Sequence, residues 1–498
     1  MTNSALDRIQ AYPDVDKFIN HLRALPVRIF QTGKDIYLNR TPGRMDLMGG
    51  NDDYSGGLVF ESTIKEATIA AIQPREDRKI ILYNPGIRGL GWDERIEFSL
   101  ENLIERDQIK SLENVRLWIN SVETRAWCAY IVGDLYFLLK KFPEKINHGF
   151  TLYLESEIPL GKGVSSSAAL EVAPMKAMAG MYGIQVEGIE LASWTQWVEI
   201  ALTQSACGIM DQLTVVMGDR EAFVPMLCQP CNPYPLVRLP NNLKVWGIDS
   251  GVRHAISGIE YESARAATFM GYRYLCELEH LQPELNETGA LPRFVDPIWN
   301  GYLANLTPAL FRERYEDHIP SSVSGVSFNK KFHTHLDPFT PVRSDITYPV
   351  RAATRYAVEE NWRVNLFYNL ISCSSSQVGK RTGTSLGELM YQSHMGYTEC
   401  GLGSSATDQI VAYVRQHYDQ GLLGAKITGG GAGGTVAVLG WNTDEAEQAF
   451  LSVIAKYREV SGIEPYIFQG TSAGADVFGI MVIPQLADIR TYHLILTN

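Results

Sequence analysis

Residues 159–173 constrain the chain more than any other stretch. Pro159-Leu160-Gly161-Lys162-Gly163-Val164-Ser165-Ser166-Ser167-Ala168-Ala169-Leu170-Glu171-Val172-Ala173 holds two glycines, three successive serines, then small and apolar residues suited to a helix. Ahead of it, residues 150–158 alternate as a strand does. The order is strand, glycine loop, helix. Glycines let backbone N–H groups close on an anion, and a helix start offers free donors and a partial positive charge. Serine hydroxyls can add phosphate contacts or a Mg²⁺ ligand. A plain Gly/Ser turn capping a helix uses the same residues, so the loop alone leaves both readings open.

The rest of the chain narrows the choice. Its 498 residues give room for two or three domains. A net charge of −12 argues against bulk nucleic-acid binding, which prefers a basic surface. No apolar run is long enough to span a bilayer, and residues 1–28 have no signal-peptide core. The seven cysteines are odd in number and mostly scattered. Cys228 and Cys231 have CxxC spacing, but no second pair or His partner completes a zinc site. The expectation is structural thiols in a reducing cytosol.

Taken in order, residues 1–26 read as a short helical lead-in. Residues 35–40 read as a strand entering a loop over 41–57 that is dense in Gly, Asp and Asn and carries Arg44. Such a loop suits a sugar or a metal, or is simply surface. Strand-like segments follow at 58–60, 67–72 and 79–83, and residues 127–139 have the apolar spacing of a core helix. The helix after the glycine loop is expected over 166–181, with a kink at Pro174. Another covers about 188–203, with Glu199 in its latter half. Asp211-Gln212 beside Gly208 is a polar pair among apolar residues, open to a cap or salt-bridge reading. Proline density before residue 243 marks a boundary near 240. The chain divides into 1–26, 27–240 and 241–498, with an insertion at about 283–345. A further glycine stretch, Lys426–Gly434, leads into a strand.

Three glycine-bearing stretches in this order are more specific than any one. Pro42–Gly57, Pro159–Ala169 and Lys426–Gly434 resemble the three motifs of the GHMP kinases. Cys207–Gln212, Val252-Arg253-His254 with Tyr261, and the Trp127…Tyr130…Gly133 spacing look like the galactokinase branch. Residues 384–404 and 466–470 resemble the kinase part of the plant arabinokinases, and Gly50-Asn51 stands where galactokinases carry Glu-His.

The resemblance implies an α/β (α+β) two-domain GHMP kinase fold with the active site in the cleft. It implies transfer of the ATP γ-phosphoryl group to the anomeric hydroxyl of a sugar: L-arabinose first, D-galactose as the alternative. A catalytically silent sugar and nucleotide sensor is the reading from another class. In this scheme Gly161, Gly163, Val164, Ser165, Ser166, Ser167 and Ala168 hold the phosphates. Ser167 and Glu199 hold Mg²⁺. Asp211 and Arg44 are catalytic. Asp53, Asn51, Gly50, Gly208 and Tyr261 face the sugar. Gly50 removes an acceptor that a pentose, lacking the terminal hydroxymethyl, leaves unpaired. Partners are ATP and a small sugar, with no nucleic acid and no membrane. Lys162 is open to a phosphate contact or to water.

Overall fold

A computed structural model describes residues 12–25, 29–106, 108–252, 258–288, 291–374, 376–484 and 493–495. Arg253 and His254 of the expected motif, and residues 1–11 of the lead-in, lie outside this set.

Helix α1 (Pro13–Ala24) begins with proline at its first turn, where the missing N–H costs nothing. It buries Val15, Phe18 and Ile19 against the first sheet. Two long strands form the centre of that sheet, β1 (Ile36–Met48) and β2 (Leu58–Pro74), paired antiparallel along their length. Strands β3 (Lys79–Tyr83), β4 (Arg95–Ser99) and β5 (Phe150–Ser156) extend it: β5 pairs with the second half of β2, β3 runs parallel to β5, and β4 closes the edge. Strand β6 (Ala222–Leu227) pairs with the first half of β2.

Strand β1 outruns the expected loop. Residues 41–48 are strand, and the connection begins only at Gly49. Pro42 would normally end a ladder, but the register shifts between Pro42 and Arg44, so the missing donor falls at a bulge. The expected segments 58–60 and 67–72 are likewise one strand. Polar residues 61–63 break the apolar pattern, yet they are buried; Thr63 donates to the Ser472 carbonyl at 2.6 Å.

Helices cover one face of this sheet: α2 (Ala129–Lys141), α3 (Ser166–Met181), α4 (Gly188–Val198) and α5 (Met210–Met217). Helix α3 runs unbroken through Pro174 and packs on β1 and β2. The expected helix over 188–203 splits. After Val198 the backbone widens into a π turn, Glu199–Thr203. Such turns are rare and often sit at functional sites.

A second antiparallel sheet has the order β8 (Leu422–Ile427), β9 (Thr435–Trp441), β7 (Leu243–Asp249), β10 (Ile467–Gln469). Long helices accompany it: α6 (Ile259–Leu278), α7 (Val350–Ser372), α8 (Lys380–Glu399), α9 (Ser405–Gln416) and α10 (Asp444–Ser461). Trp246 stacks on Phe450 beneath it at 4.8 Å. Segment 283–345 is short helices and two-stranded ribbons whose Trp299, Phe311 and Phe328 pack onto the α6 and α7 core. The two sheets share a core: Met45, Leu47, Leu58 and Phe60 of the first meet Phe367, Leu386, Met390 and Leu423 of the second half. Strand β11 (Ile480–Ile483) then returns to pair with β1.

Candidate active site

The glycine loop sits where β1, α3 and α5 converge. Gly161 and Gly163 both have φ of 71°, a conformation glycine adopts without steric cost. Ser165 caps α3 in the left-handed region, φ 56° and ψ 48°, where a side chain is normally disfavoured. Its hydroxyl donates to Asp211 Oδ2, a contact that holds the strained turn. Ser165 therefore leaves the helix start without a side-chain cap, and the first N–H groups of α3, at Ser166, Ser167 and Ala168, stay available.

Asp211 lies in the first turn of α5, half-buried. Arg44 meets it through Nε at 2.9 Å and Nη2 at 2.6 Å, both on Oδ1, and donates Nη1 to the Gly163 carbonyl at 2.7 Å. Its backbone N–H donates to the Val164 carbonyl at 3.1 Å. Glu61 approaches Arg44 Nε at 3.0 Å, but without hydrogen-bond alignment, because that N–H is committed to Asp211. Burial works against the Arg44 charge, yet Asp211, Glu61 and Asp46 outweigh it and raise its pKa. The structure thus brings Arg44, Gly163, Val164, Ser165 and Asp211 into one junction.

The connection after β1 is held by the second half of the chain. Helix α7 supplies Tyr356, which donates to the Gly50 carbonyl at 2.7 Å, Glu360, which accepts from Gly49 N at 3.1 Å, and Asn361, which accepts from Leu58 N at 3.0 Å. Asp53 is buried and packs flat against Gly208; a Cβ there would lie 1.6 Å from Asp53 Oδ2. Burial first, then the Asp211 charge, pushes Asp53 up to about 6. Tyr261, half-buried on α6, meets the Tyr54 ring edge-on at 6.1 Å. Asn51 is buried in the left-handed region at φ 58°, and its Oδ1 has no protein partner. Gly50 and Asn51 stand against Tyr397 and the Gly429 carbonyl.

Glu199 opens the π turn and is buried; burial, then Asp211, raises it to about 7. The Gln212 amide donates to it at 2.5 Å, and the Cys207 thiol and the Ser167 hydroxyl lie close enough to favour its charged form. The Glu171 carboxyl is buried nearby, with Oε1 unpartnered. Beside Ser166 and Ser167 opens a cavity of about 590 Å³ walled by Ile87, Trp92, Trp127, Tyr130 and Leu160. A smaller one, about 250 Å³, lies beside Asp53 and Gly208 and is walled partly by Asp337 and Phe339 of segment 283–345.

Lys162 does not simply point to water. Its Nζ pairs with Asp249 Oδ2 at 2.7 Å, and its carbonyl accepts from Thr435 Oγ1 at 2.8 Å. The glycine loop is thereby latched to β7 and β9.

Family models match in the order of the folded chain: the galactokinase galactose-binding signature over residues 28–74, the GHMP kinase N-terminal domain over 129–219 and the GHMP kinase C-terminal domain over 375–459. The chain belongs to the GHMP kinases. Its fold is that of the Lactococcus lactis galactokinase crystallised with galactose, with a TM-score of 0.70 at 22% identity over 93% of this chain and 99% of that one. It is 34% identical to Arabidopsis thaliana L-arabinokinase, over 91% of this chain and 47% of that protein. It is 33% identical to Chloroflexus aggregans galactokinase, over 47% of this chain and 54% of that protein. The chain thus spans about half the length of these two relatives. Among the described residues no helix is long and apolar enough to cross a membrane.

Sequence reasoning missed part of this candidate site. Lys426 Nζ, fully buried, pairs with Asp46 Oδ2 at 2.5 Å, and Thr428 Oγ1 accepts the Asp46 backbone N–H at 2.7 Å. Arg265 of α6 grips Asp337 with two hydrogen bonds, 2.8 and 3.0 Å, and the Ala206 carbonyl at 3.1 Å, fixing the turn before Gly208. The signal for Asp46 and Lys426 was available: each is a charge inside a motif otherwise rich in glycine.

Proposed function

We propose that this chain is an ATP-dependent sugar 1-kinase that phosphorylates the anomeric hydroxyl of L-arabinose, giving L-arabinose 1-phosphate. The junction of Arg44, Asp211 and Ser165 at the start of α3 carries the reading. It puts a fixed carboxylate beside an uncapped helix N-terminus, the pairing that phosphoryl transfer to a hydroxyl needs.

In this reading the nucleotide base enters the cavity of Trp92 and Trp127, and the phosphates lie on the N–H groups of residues 161–168. Ser167 and Glu199 would hold Mg²⁺. A hydroxyl and a carboxylate near one another suit a hard cation. Among the described residues no group of three His, Cys, Asp or Glu side chains is gathered to hold an ion alone, so ATP oxygens and water complete the shell. Bound there, the ion neutralises phosphate charge. Asp211, anchored through Oδ1 by Arg44, turns Oδ2 to the anomeric hydroxyl, orients it in line with the γ-phosphate and takes its proton. The Arg44 guanidinium fixes that carboxylate in place and lies where negative charge builds on the transferring group. Asp53, Asn51 and Tyr261 bind the other ring hydroxyls. The unpartnered Oδ1 of Asn51 is a buried acceptor in want of a donor.

L-arabinose is favoured over D-galactose by the missing side chain at Gly50 and the arabinokinase relative. D-galactose is the second reading, favoured by the signature over 28–74. ATP consumption by purified protein with L-arabinose, D-galactose and D-galacturonate, with and without Mg²⁺, tests both. The expected result is Mg²⁺-dependent turnover, fastest with L-arabinose. Turnover on no sugar would overturn the kinase reading, and a preference for galactose would select the second.

The sugar KM should depend on pH through Asp53. Its pKa is raised, so the accepting carboxylate forms only above about 6. KM for L-arabinose is expected to fall about tenfold between pH 5 and 7, as the ionised fraction grows. The same shift destabilises the sugar-free protein as pH rises from 4 to 6, because the folded state holds a proton that the unfolded chain releases. A flat KM profile across that range would remove Asp53 from the sugar site.

A further inference from the structure

We propose that Tyr397 is a specificity-determining residue that closes the sugar site at Gly50 against a hydroxymethyl group. This rests on the reading above, in which Gly50 faces the sugar where a hexose carries its terminal hydroxymethyl.

Tyr397, near the end of α8, is fully buried. Its hydroxyl donates to the Gly429 carbonyl at 2.8 Å and lies 3.4 Å from Asp46 Oδ2. The ring is held by Tyr356, edge-on at 5.5 Å, and by Lys426 Nζ 4.9 Å from its centroid. An ideal Cβ on Gly50 would lie 2.0 Å from that hydroxyl and 2.3 Å from Asp46 Oδ2. The volume that a side chain at position 50 would fill is therefore taken, from the far side, by Tyr397 together with Asp46.

Two consequences meet at this wall. A pentose presents only hydrogen there and needs no partner. A hexose brings a hydroxymethyl, which needs space and a hydrogen bond. Tyr397 denies the space, and its single proton is already committed to Gly429. Gly50 is thus glycine for two reasons: a pentose asks nothing of it, and Tyr397 with Asp46 leaves room for nothing else. A larger residue at 50 requires a smaller one at 397 and a shift of the Asp46 carboxylate.

The test compares kcat/KM for D-galactose and L-arabinose in the natural protein, Tyr397→Ala and Tyr397→Phe. Tyr397→Ala should raise the galactose-to-arabinose ratio at least about tenfold, mainly through a lower KM for galactose, and Tyr397→Phe should move it less in the same direction. A merely structural tyrosine would depress both sugars equally. If the natural protein turns over sugar and neither variant moves the ratio by more than about twofold, this proposal falls alone. If the natural protein turns over no sugar, the kinase reading falls and takes it along. The packing is read without sugar: Gly50→Ala should lower the melting temperature of the natural protein, and lower it less in the Tyr397→Ala background. Equal losses in the two backgrounds would overturn the contact. Should Tyr397→Ala fail to fold, the ratio in Tyr397→Phe decides.

Discussion

Asp211→Asn should lower kcat by about a thousandfold while the affinity for ATP changes by less than about threefold. The substitution keeps the side chain's shape and an acceptor for Arg44, so the junction with Gly163 and Val164 can persist. It removes the charge that orients and deprotonates the anomeric hydroxyl. It also replaces one acceptor by an N–H donor, so the Ser165 hydroxyl has to accept there where it now donates. The base cavity is not lined by Asp211, and the N–H groups of Ser166, Ser167 and Ala168 are not bonded to it, which is why nucleotide binding should survive. Single-turnover kinetics with L-arabinose, alongside nucleotide titration, separates the two effects. A loss of kcat below about tenfold would mean that Asp211 neither orients nor deprotonates the acceptor.

The second large effect is on stability. Lys426→Met should destabilise the protein by about 3–5 kcal/mol, read by chemical denaturation. Lys426 and Asp46 are both fully buried; Lys426 pairs with Asp46 Oδ2, and Oδ1 has no hydrogen-bond partner. Removing the ammonium strands a carboxylate in the core shared by the two sheets. Attraction between the partners mainly offsets their own desolvation, so removing both charges is far milder than removing one. Asp46→Asn combined with Lys426→Met should therefore recover most of the loss. A single-variant cost under about 1 kcal/mol would show that Asp46 finds water or another cation.

How far the sequence could be read follows from what each residue does. The helix after the glycine loop, Ser166–Met181, was legible to the residue because its start and stop signals are local. The strand through Pro42, Gly43 and Arg44 was not. Its turn-like composition serves a close approach: a Cβ on Gly43 would meet the Val164 carbonyl at 2.5 Å. The π turn at Glu199 left no local mark, since nothing in Glu199–Thr203 breaks a helical pattern. Of the site, the residues inside the glycine motifs could be found by their chemistry. The Lys162 pairing could not, because its partner Asp249 lies far away in sequence. Nor could Tyr397, whose helical spacing reads as ordinary core and whose importance depends on a missing side chain in another element. Pro174 lies inside α3, which is continuous through it and packs on β1 and β2.

Strand β11 leaves the second half of the chain to pair with β1. The first sheet therefore borrows two of its strands from beyond residue 479, Ile480–Ile483 and, paired on it, His493–Ile495. A fragment ending near residue 240 would carry β1 with a bare row of N–H and C=O groups along Ile36–Leu38, next to a freshly uncovered Met45, Leu47, Leu58 and Phe60. Such a strip is a template for aggregation. Any attempt to divide this protein, for expression of parts, for split reporters or for rewiring its termini, has to carry residues 480–483 with the first sheet, joined by a linker in place of the second lobe.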